Sequence, residues 1–511
     1  MIYTRVTGST LKVRLFSESS SGNIFTSGLN SAECKIYRDN SEIYSNKAVE
    51  NGFFDSLFSG GKSFEFSADL SQSGQYSILC SGNDKDGKSI KSETLEFFVA
   101  PKEYTAELII TANNKNYNLK QTSDSNGSTI KVNLTGNDFP ITKVGDDIKI
   151  RLNGEVKGPN GIDSGVNSSM KQMDIKNNID GETICKSPAP NLPKGNDIKI
   201  SSGKFDSNPN SNLSLSFNDV YKGKMTISYT DEEIKSKIES EKKRGGCDKN
   251  GINTGQCPFP PTFEFSFDYL VVPNNFKLQA QNNGKDIKVL YFGQGSSPLN
   301  ENKINLDLTA LDDKNQPLKN FINGCAAIDT ELEIKYDSNL VITFIDSNNA
   351  NTSGDTTTIK KENWIFQGSE AKASLQRVLS VKQLDKVWTP SMVSEPIYLK
   401  NVTQLMYYAG KKNDISYPQY NNLIFDSFNN AVVLRGRVNM IDTDNAGNYS
   451  TPPTTKVYYE FYCQTCDLSE INKITGAKKY VGSPTSAGWW IDTTFNAATL
   501  KTNNISTTNS L

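Results

Sequence analysis

The feature that most restricts the fold is a series of short stretches in which apolar and polar residues alternate, separated by clusters of turn-forming residues. In one stretch Phe263, Phe265, Phe267 and Tyr269 alternate with other residues, and Asn83–Lys88 is one of the turn clusters. A period of two is the pattern of a half-buried strand. We therefore predict an all-β protein built from sandwich domains rich in hairpins.

The strand patterns divide the 511 residues into three predicted domains. Residues 1–101 are predicted to form an immunoglobulin-like β-sandwich, because strands and turns follow each other at short spacing. Residues 102–272 are predicted to form a β domain with long loops, since 153–197 is rich in Gly, Asn, Ser and Pro. Residues 273–511 are predicted to form a β-sandwich domain with a C-terminal extension.

A short surface helix is predicted over residues 231–244. Thr230 and Glu233 have the spacing of a capping box, and Gly245-Gly246 ends the segment. Ile234 and Ile238 form its only apolar ridge, which indicates packing on one side. Binding of a partner is the alternative role for this helix.

The aromatic face of the stretch around Phe263 has two interpretations. Four aromatic side chains on one face of a strand are typical of a buried core, which is the interpretation we adopt. A platform for carbohydrate rings is the alternative.

The sequence contains no histidine, which excludes Ser-His-Asp and Cys-His nucleophile systems and histidine metal sites. The net charge of −2 argues against a broad basic surface for nucleic acid. Catalysis by two carboxylates would survive these exclusions, but no spacing supports it. We therefore predict a protein that is not an enzyme, with no catalytic, cofactor-binding or metal-binding residues.

An even number of cysteines favours disulfides and an exported protein. The expected pairs are Cys34 with Cys80, as a bridge between two sheets, Cys247 with Cys257, Cys463 with Cys466 and, by elimination, Cys185 with Cys325. Closing the short loop between Cys247 and Cys257 would stabilise the fold by about 2–3 kcal/mol. Cys463-Gln464-Thr465-Cys466 could instead be a redox dithiol, half of a zinc site or free thiols.

The start of the chain leaves two expectations: either Met1 was added to a trimmed chain, or the chain is a fragment of a longer precursor. Met1–Arg5 lacks the basic and apolar regions of a signal peptide. No apolar run approaches about 18 residues, so no membrane span is predicted. We expect an extracellular or cell-surface location.

Three local motifs resemble functional sites but have simpler structural interpretations. Gly60–Ser63 resembles the end of a phosphate-binding loop, but Ser56 stands where a glycine is needed, so we predict a turn. Asp442–Asn448 partly resembles a calcium loop and is more typical of a hairpin turn. Asn126 lies in the sequence Asp-Ser-Asn-Gly-Ser and is a candidate glycosylation site in a loop.

Several stretches in a fixed order resemble a known family. They are Phe217–Asp231, Phe267–Phe276, Val289–Gln294, Leu308–Asp312 with Lys319–Phe321, Val433–Val438 and Trp489–Asp492. In this order they resemble the β domain of the MshQ-like proteins, which are encoded with mannose-sensitive haemagglutinin type IV pili. The resemblance covers about residues 200–500, and Tyr458–Cys466 is most similar to the version in campylobacter-related bacteria. Val271-Val272-Pro273 and Leu434-Arg435 depart from the family pattern.

The resemblance implies an exported, pilus-associated or cell-surface protein without known catalytic residues. Residues 1–101 are also similar to bacterial immunoglobulin-like repeats of surface proteins. We therefore expect a structural or adhesive protein, associated with a pilus or forming an extracellular filament. Its partners would be further copies of itself, other surface proteins or a glycan, bound through loops and sheet edges. Asn496–Leu511 is expected to pair with a sheet edge of another copy. The alternatives are a polysaccharide-active enzyme with paired carboxylates and a phage or virion surface protein.

Overall fold

The computed structural model describes most of the chain. The described residues are 4–15, 29–50, 64–84, 86–134, 138–180, 182–188, 190–194, 197–205, 213–248, 256–282, 285–291, 303–328, 330–336, 340–346, 358–359, 364–383, 392–398, 402–408, 424–425, 431–441, 456–475, 480–483 and 486–492. Within these ranges the chain consists mainly of strands, together with two helices. The predicted all-β class is confirmed.

The described strands between residues 5 and 100 form an immunoglobulin-like β-sandwich, and the bounds 1–101 of this domain stay a prediction. Its strands are β1 (Arg5–Val6), β2 (Thr10–Leu15), β3 (Leu29–Arg38), β4 (Ser41–Lys47), β5 (Val49–Glu50), β6 (Phe64–Asp69), β7 (Gly74–Asp84), β8 (Ser89–Lys91) and β9 (Leu95–Ala100). One sheet has the order β1-β9-β7-β3-β4, with β8 on β7, and the other has the order β2-β6-β5. Buried side chains from both sheets, including Leu11, Ile36 and Phe66, form one core.

Tyr76 forms a tyrosine corner in this sandwich, for which the sequence spacing is only a loose match. Its ring is buried beside Phe97, with the ring centroids 5.6 Å apart. Its hydroxyl donates a hydrogen bond of 2.7 Å to the carbonyl oxygen of Gln72. A tyrosine that bonds back to the backbone a few residues upstream is a tyrosine corner. The corner forms here although Tyr76 lies four residues before Cys80 rather than two.

Residues 103–272 form a twelve-stranded sheet. Its strands are β10 (Glu103–Ala112), β11 (Lys115–Asp124), β12 (Thr129–Val132), β13 (Ile141–Lys143), β14 (Asp147–Gly158), β15 (Gly161–Ile162), β16 (Ser168–Ile179), β17 (Ile198–Ser201), β18 (Lys204–Phe205), β19 (Leu213–Ser216), β20 (Tyr221–Asp231) and β21 (Thr262–Val272). The order is β12-β11-β10-β14-β18-β17-β16-β20-β21-β13, with β15 and β19 also paired with β14.

The expectation of loops throughout 153–197 is wrong for strand β16, which spans Ser168–Ile179 within that segment. The strand is polar and includes two consecutive asparagines, so local preference does not favour it. It forms because it pairs with β20 from Met170↔Asp231 to Ile179↔Gly223, with one bulge. Pairing with a neighbour outweighs the local sequence here.

The aromatic stripe of β21 lies in the core. Phe263, Phe265, Phe267 and Tyr269 are each at most 3% exposed. The Tyr269 ring stacks on Phe217 at 5.5 Å between centroids. The interpretation as core is confirmed, and these rings are too deeply buried to bind a carbohydrate from solvent.

Helix α1 (Glu232–Lys243) lies at the predicted position but has a different cap. The N-cap is Asp231, whose carboxylate accepts a hydrogen bond of 3.0 Å from the backbone N–H of Ile234. The predicted cap, Thr230, lies one residue earlier, and its hydroxyl is 3.3 Å from that of Thr262 on β21. The predicted capping box was wrong because the helix begins at Glu232, so the residue directly before it, Asp231, is the N-cap.

The apolar ridge of α1 packs on the first sandwich. Ile234 and Ile238 are buried in a cluster with Phe98 and Ala100 of β9, and Cys257 packs against it. This agrees with the predicted packing on one side. The helix therefore joins the twelve-stranded sheet to the sandwich of residues 5–100.

Residues 275–491 form four smaller sheets and helix α2 (Leu468–Thr475). The strands are β22 (Asn275–Asn282), β23 (Lys285–Asp286), β24 (Val289–Tyr291), β25 (Lys303–Leu311), β26 (Thr330–Tyr336), β27 (Leu340–Asp346), β28 (Thr358–Ile359), β29 (Lys372–Gln383), β30 (Ile397–Tyr398), β31 (Val402–Tyr408), β32 (Ile424–Phe425), β33 (Val432–Leu434), β34 (Gly436–Ile441), β35 (Lys456–Tyr462), β36 (Val481–Gly482) and β37 (Trp489–Ile491). The sheet orders are β23-β22-β25-β29-β27 with β32 on β22, β24-β33-β30, β28-β26-β31 and β34-β35-β37-β36. Helix α2 was not expected.

The twelve-stranded sheet ends at residue 272 and other sheets begin after it, but the hydrophobic core continues across this point. One cluster of buried side chains extends from Tyr104 in β10 to Val433 in β33. The Cys185–Cys325 disulfide also crosses this boundary. The boundary at 272/273 therefore separates sheets that share a core, and its status as a domain boundary stays a prediction.

Neither of the two helices in the described part of the chain combines the length and the apolar character that crossing a bilayer requires.

Candidate functional site

Strand β12 forms one outer edge of the twelve-stranded sheet. Its inner side pairs with β11 from Lys120↔Val132 to Ser123↔Thr129, and within the described ranges no strand pairs with its outer side. All four of its residues are exposed, with Ile130 at 68% and Val132 at 54%. A sheet edge presents backbone N–H and C=O groups to which another strand can add. Strand β12 combines such an edge with two exposed aliphatic side chains.

Strand β4 is a second exposed edge and carries more charge. Its residues are exposed along the whole strand. Glu42 forms an ion pair of 3.1 Å with Lys35, and Ser45 donates a hydrogen bond of 2.7 Å to Glu33. Charged side chains on an edge discourage the addition of further strands. This comparison favours β12 as the binding edge, because Lys131 is its only charged residue.

The glycosylation candidate Asn126 lies in the turn that leads into β12. Its side chain is exposed. Asp124 Oδ1 accepts hydrogen bonds from the backbone N–H of Asn126 at 3.0 Å and of Ser128 at 2.7 Å. Gly127 has a φ of 85°, and a Cβ there would lie 2.9 Å from the Phe259 ring. The asparagine is therefore accessible on a well-defined turn, and its modification stays a prediction.

The eight cysteines form four disulfides in the pairing expected from the sequence. The pairs are Cys34–Cys80, Cys185–Cys325, Cys247–Cys257 and Cys463–Cys466.

The expected bridge between two sheets is wrong for Cys34 and Cys80. The two residues lie directly opposite each other on β3 and β7, neighbouring strands of one sheet, with their Cα atoms 4.1 Å apart. The backbone of Cys80 bonds to Ser92 instead of Cys34, so the two cysteines form a non-hydrogen-bonded pair, whose side chains lie closest. A separation of 46 residues does not distinguish facing sheets from adjacent strands.

The Cys463–Cys466 disulfide lies between the end of β35 and the start of α2. Cys463 is 3% exposed and packs in an apolar cluster with Phe461 and Ile471, whereas Cys466 is half-buried. The Glu395 carboxylate accepts hydrogen bonds from the N–H groups of the two residues between them, at 3.0 Å from Gln464 and 3.2 Å from Thr465.

Glu395, Cys463 and Cys466 are also the one group in the described chain with the spacing of a metal site. Their carboxylate oxygen and sulfur atoms lie within 4.8 Å of one another. The two sulfurs bond to each other, and metal binding by cysteine requires thiolates. In the oxidised protein this group is therefore a disulfide held by a carboxylate.

The buried carboxylates have structural partners. They are Asp163, Asp219, Asp231, Glu241, Glu460 and Asp492. Each accepts hydrogen bonds from backbone N–H groups or side chains of the fold. Two of these groups, Glu460 and Asp492, lie close in the sheet of β35, but on opposite faces, because Glu460 is opposite Ile491 in the register. This pair cannot act together on one sugar ring.

Burial raises the pKa of two of these carboxyl groups. The pKa of Asp163 is raised by desolvation although the backbone N–H of Gly165 donates a hydrogen bond to it. The pKa of Asp231 is also raised by desolvation, and the hydrogen bond from Ser168 opposes the shift. Asp163 binds the Ser73 N–H of the first sandwich, and Asp231 caps helix α1. Because both carboxylates hold parts of the fold together, their shifted pKa values affect stability rather than catalysis.

Three sequence motifs lie outside the described residues. They are the glycine-rich Gly60–Ser63 segment, the calcium-like Asp442–Asn448 segment and the C-terminal Asn496–Leu511 segment.

Two features of the candidate sites were missed from the sequence. Helix α2 begins directly after Asp467. Asp467 and Glu470 have the spacing of a capping box, which could have predicted the helix. The Asp467 carboxylate accepts a hydrogen bond of 2.8 Å from the N–H of Ser469. The contact of Glu395 with the cysteine loop carries no local signal, because about 70 residues separate them.

Comparisons with known proteins give no family. No protein-family profile matches the chain, and no curated protein is significantly similar to it. Solved structures with similar parts include fibronectin(III)-like modules of CbhA from Clostridium thermocellum, at 10% identity and a TM-score of 0.16 over 53% of this chain and 89% of that one. Extracellular domains 3–5 of Drosophila OTK match at 10% identity and a TM-score of 0.18, covering 83% and 93%. BcpA, the major pilin subunit of Bacillus cereus, matches at 7% identity and a TM-score of 0.17, covering 83% and 99%. TM-scores this low carry no argument about family or function, so the MshQ-like resemblance stays a prediction.

Proposed function

We propose that this is an exported, cell-surface structural protein that associates with further copies of itself by strand addition at β12. The observation that carries the proposal is the exposed β12 edge, with Ile130 and Val132 in solvent beside a row of backbone groups. The proposal describes binding rather than catalysis. Association with a pilus or growth of a filament would follow from repeating this contact.

Export is supported by the state of the cysteines. All eight are paired, and disulfides persist mainly in oxidising compartments. Intact mass after alkylation in denaturant should show no modified cysteine without reductant and eight with it. Eight modified cysteines in freshly isolated, unreduced protein would contradict export.

The proposed occupant of the β12 edge is the Asn496–Leu511 segment of another copy. Backbone hydrogen bonds across the new pair would contribute about 1 kcal/mol each. Burial of Ile130 and Val132 would add about 1.5–3 kcal/mol each. A contact with a four-residue strand is weak by itself. In the proposed assembly each copy makes two contacts, one through its β12 edge and one through its own 496–511 segment.

Sedimentation of the full chain over a range of concentrations tests the proposal. Ile130→Lys should reduce self-association, because it places a charge where the incoming strand would bury an aliphatic group. Ile43→Lys on the β4 edge is the matched control and should have no effect. Deletion of residues 496–511 should reduce association as much as Ile130→Lys does.

Two results would contradict this proposal. Unchanged association in the Ile130→Lys variant would exclude the β12 edge. Unchanged association after the deletion, together with a loss in Ile130→Lys, would exclude the C-terminal segment as the occupant.

A further inference from the structure

An open cleft of about 720 Å³ lies beside the Cys463–Cys466 disulfide. It is lined by Lys288, Tyr398, Cys466, Asp467, Glu470, Lys473 and Ile474. This volume is in the range of sites for small molecules. Of the two cysteines, Cys466 lines the cleft, whereas Cys463 is 3% exposed and packs in the core. The disulfide therefore presents one residue to a ligand and the other to the apolar interior.

The cysteine loop is held by bonds that do not depend on the disulfide. Glu395 binds the N–H groups of Gln464 and Thr465. The Trp490 indole N–H donates a hydrogen bond of 2.8 Å to the carbonyl oxygen of Cys463. The N–H of Cys463 donates a hydrogen bond of 2.8 Å to the carbonyl oxygen of Gly488. Opening the disulfide would therefore leave the two sulfurs near each other and ready to close again.

We propose that Cys463–Cys466 is an exchangeable disulfide that reacts with thiols bound in the cleft. The thiolate of the ligand attacks Cys466 Sγ, and the bond between the two cysteine sulfurs breaks. The electron pair passes to Cys463 Sγ, which takes up the proton that the ligand thiol released. The products are a mixed disulfide at Cys466 and a thiol at Cys463.

Two outcomes then complete the exchange. Cys463 can attack Cys466 Sγ, which releases the ligand thiolate and restores the original disulfide. Alternatively, a second thiol attacks the ligand sulfur of the mixed disulfide. That step releases the ligand as a disulfide and leaves both cysteines as thiols, so two electrons pass from the ligands to the protein.

The side chains of the cleft indicate the class of thiol. Lys473 and Glu470 form an ion pair of 2.5 Å with each other. Lys288 therefore supplies the remaining positive charge of the cleft and Asp467 the remaining negative charge, and Tyr398 and Ile474 add apolar surface. This mixture suits a short cysteine-containing peptide with both charges better than a neutral thiol. Reduced glutathione is the probe that we would use.

The first experiment follows glutathione on the folded wild-type protein by peptide mass mapping. Glutathione should be found on Cys466 before any other cysteine. Cys34 and Cys80, at 0% and 6% exposure, are the internal reference because both are buried in one sandwich core. Modification of all four disulfides at equal rates, or none on Cys466, would overturn the proposal.

Two variants show which sulfur is attacked. In Cys463→Ser the mixed disulfide at Cys466 should form from glutathione disulfide and persist, because the residue that resolves it is absent. Cys466→Ser leaves only the buried Cys463, which should react at least about tenfold more slowly. Equal reaction of the two variants would show that the cleft does not direct the exchange.

A charge variant tests the cleft without altering a cysteine. Lys288→Glu should slow the reaction of the wild-type disulfide with glutathione, which carries a net negative charge, and leave its reaction with 2-mercaptoethanol unchanged. Equal slowing with both thiols would argue against ligand binding in the cleft. This comparison also remains valid if either cysteine variant fails to fold.

Discussion

Asp231 joins strand β20 to helix α1 with a carboxylate that is fully buried. It accepts hydrogen bonds from the Ser168 hydroxyl at 2.6 Å and from the Ile234 N–H. Desolvation nevertheless raises its pKa above the ordinary value of 3.8. The fold therefore favours the protonated acid. The stability that this preference contributes is fully present below about pH 3.8 and is lost as the pH rises through the folded-state pKa.

Asp231→Asn should therefore be at least as stable as the wild type at pH 7. The amide oxygen can still cap α1, since Asn and Asp are similarly good caps, and the Ser168 hydroxyl can accept from the amide N–H. The advantage of the variant should shrink as the pH falls toward 3.8. Urea unfolding at both pH values measures this.

Asp231→Ala is the control, because it removes the cap and should cost about 1 kcal/mol at pH 7. If Asp231→Asn were destabilised as much as Asp231→Ala, the negative charge itself would be needed at the cap. The sign of the proposed pH dependence would then be wrong.

The strands with a buried apolar face could be predicted from the sequence, and the elements that depend on distant partners could not. Strand β21 was predicted from its aromatic alternation, since one face of the strand fills the core. Strand β16 was missed because its polar sequence forms a strand only when β20 is beside it. The Cys34–Cys80 bridge was assigned to facing sheets because sequence spacing does not reveal which strands are neighbours.

The same distinction applies to the candidate sites. The short-range pairs Cys247–Cys257 and Cys463–Cys466 and the accessible Asn126 turn follow from local sequence, whereas Cys185–Cys325 was reached by elimination. The contact of Glu395 with Gln464 and Thr465 requires two distant segments to meet, so no local pattern predicts it. The exposure of Ile130 also depends on β12 lying at the end of the sheet order. The local sequence does not show that β12 lies at the edge of the sheet.

Helix α1 connects two sheets through a narrow apolar ridge, so a single residue of that ridge should matter. Ile238→Ala removes part of the cluster with Phe98 and Ala100 and should lower the free energy of unfolding by about 2–4 kcal/mol. Glu239→Ala, on the exposed face of the same helix, should change it by less than about 0.5 kcal/mol. Denaturant unfolding followed by circular dichroism compares the two.

Equal small effects of these two substitutions would contradict the packing of α1 on the first sandwich. The helix would then pack only on the twelve-stranded sheet and would not connect it to the first sandwich. A large effect limited to Ile238 would support a rigid connection between the two units.

The larger parts of the molecule are joined by buried polar groups as well as by apolar cores. Between the first sandwich and the twelve-stranded sheet, the Ser73 N–H donates a hydrogen bond of 3.0 Å to Asp163. Between the twelve-stranded sheet and residues 275–491, Asp219 accepts from the N–H groups of Val220, Lys319 and Asn320. Because these bonds are directional, they fix the orientation of one part relative to the next in a way that apolar packing alone does not.

Asn320 also connects the twelve-stranded sheet with residues 275–491, so substituting it tests the contribution of this polar contact. Its side-chain oxygen accepts hydrogen bonds from the N–H groups of Lys186 at 2.8 Å and Ser187 at 2.7 Å, and its amide donates one of 3.3 Å to the carbonyl oxygen of Val220. Asn320→Ala should cost about 1–3 kcal/mol, because it leaves the buried carbonyl oxygen of Val220 and two partly buried N–H groups without this partner. Asp219→Ala should cost a similar amount for the same reason.

The double variant of Asp219 and Asn320 shows whether the two residues act as a unit. Groups in one network should give an interaction energy of about 0.5–3 kcal/mol, so the double variant should be less destabilised than the sum of the two single variants. Denaturant unfolding of all four proteins provides the cycle, with Asp231→Ala combined with Asn320→Ala as a distant pair that should be additive. Additive effects of Asp219 and Asn320 would mean that the shared core alone holds these parts together. A measurable coupling would mean that Asp219 and Asn320 act as one polar network that connects the parts on either side of residue 272.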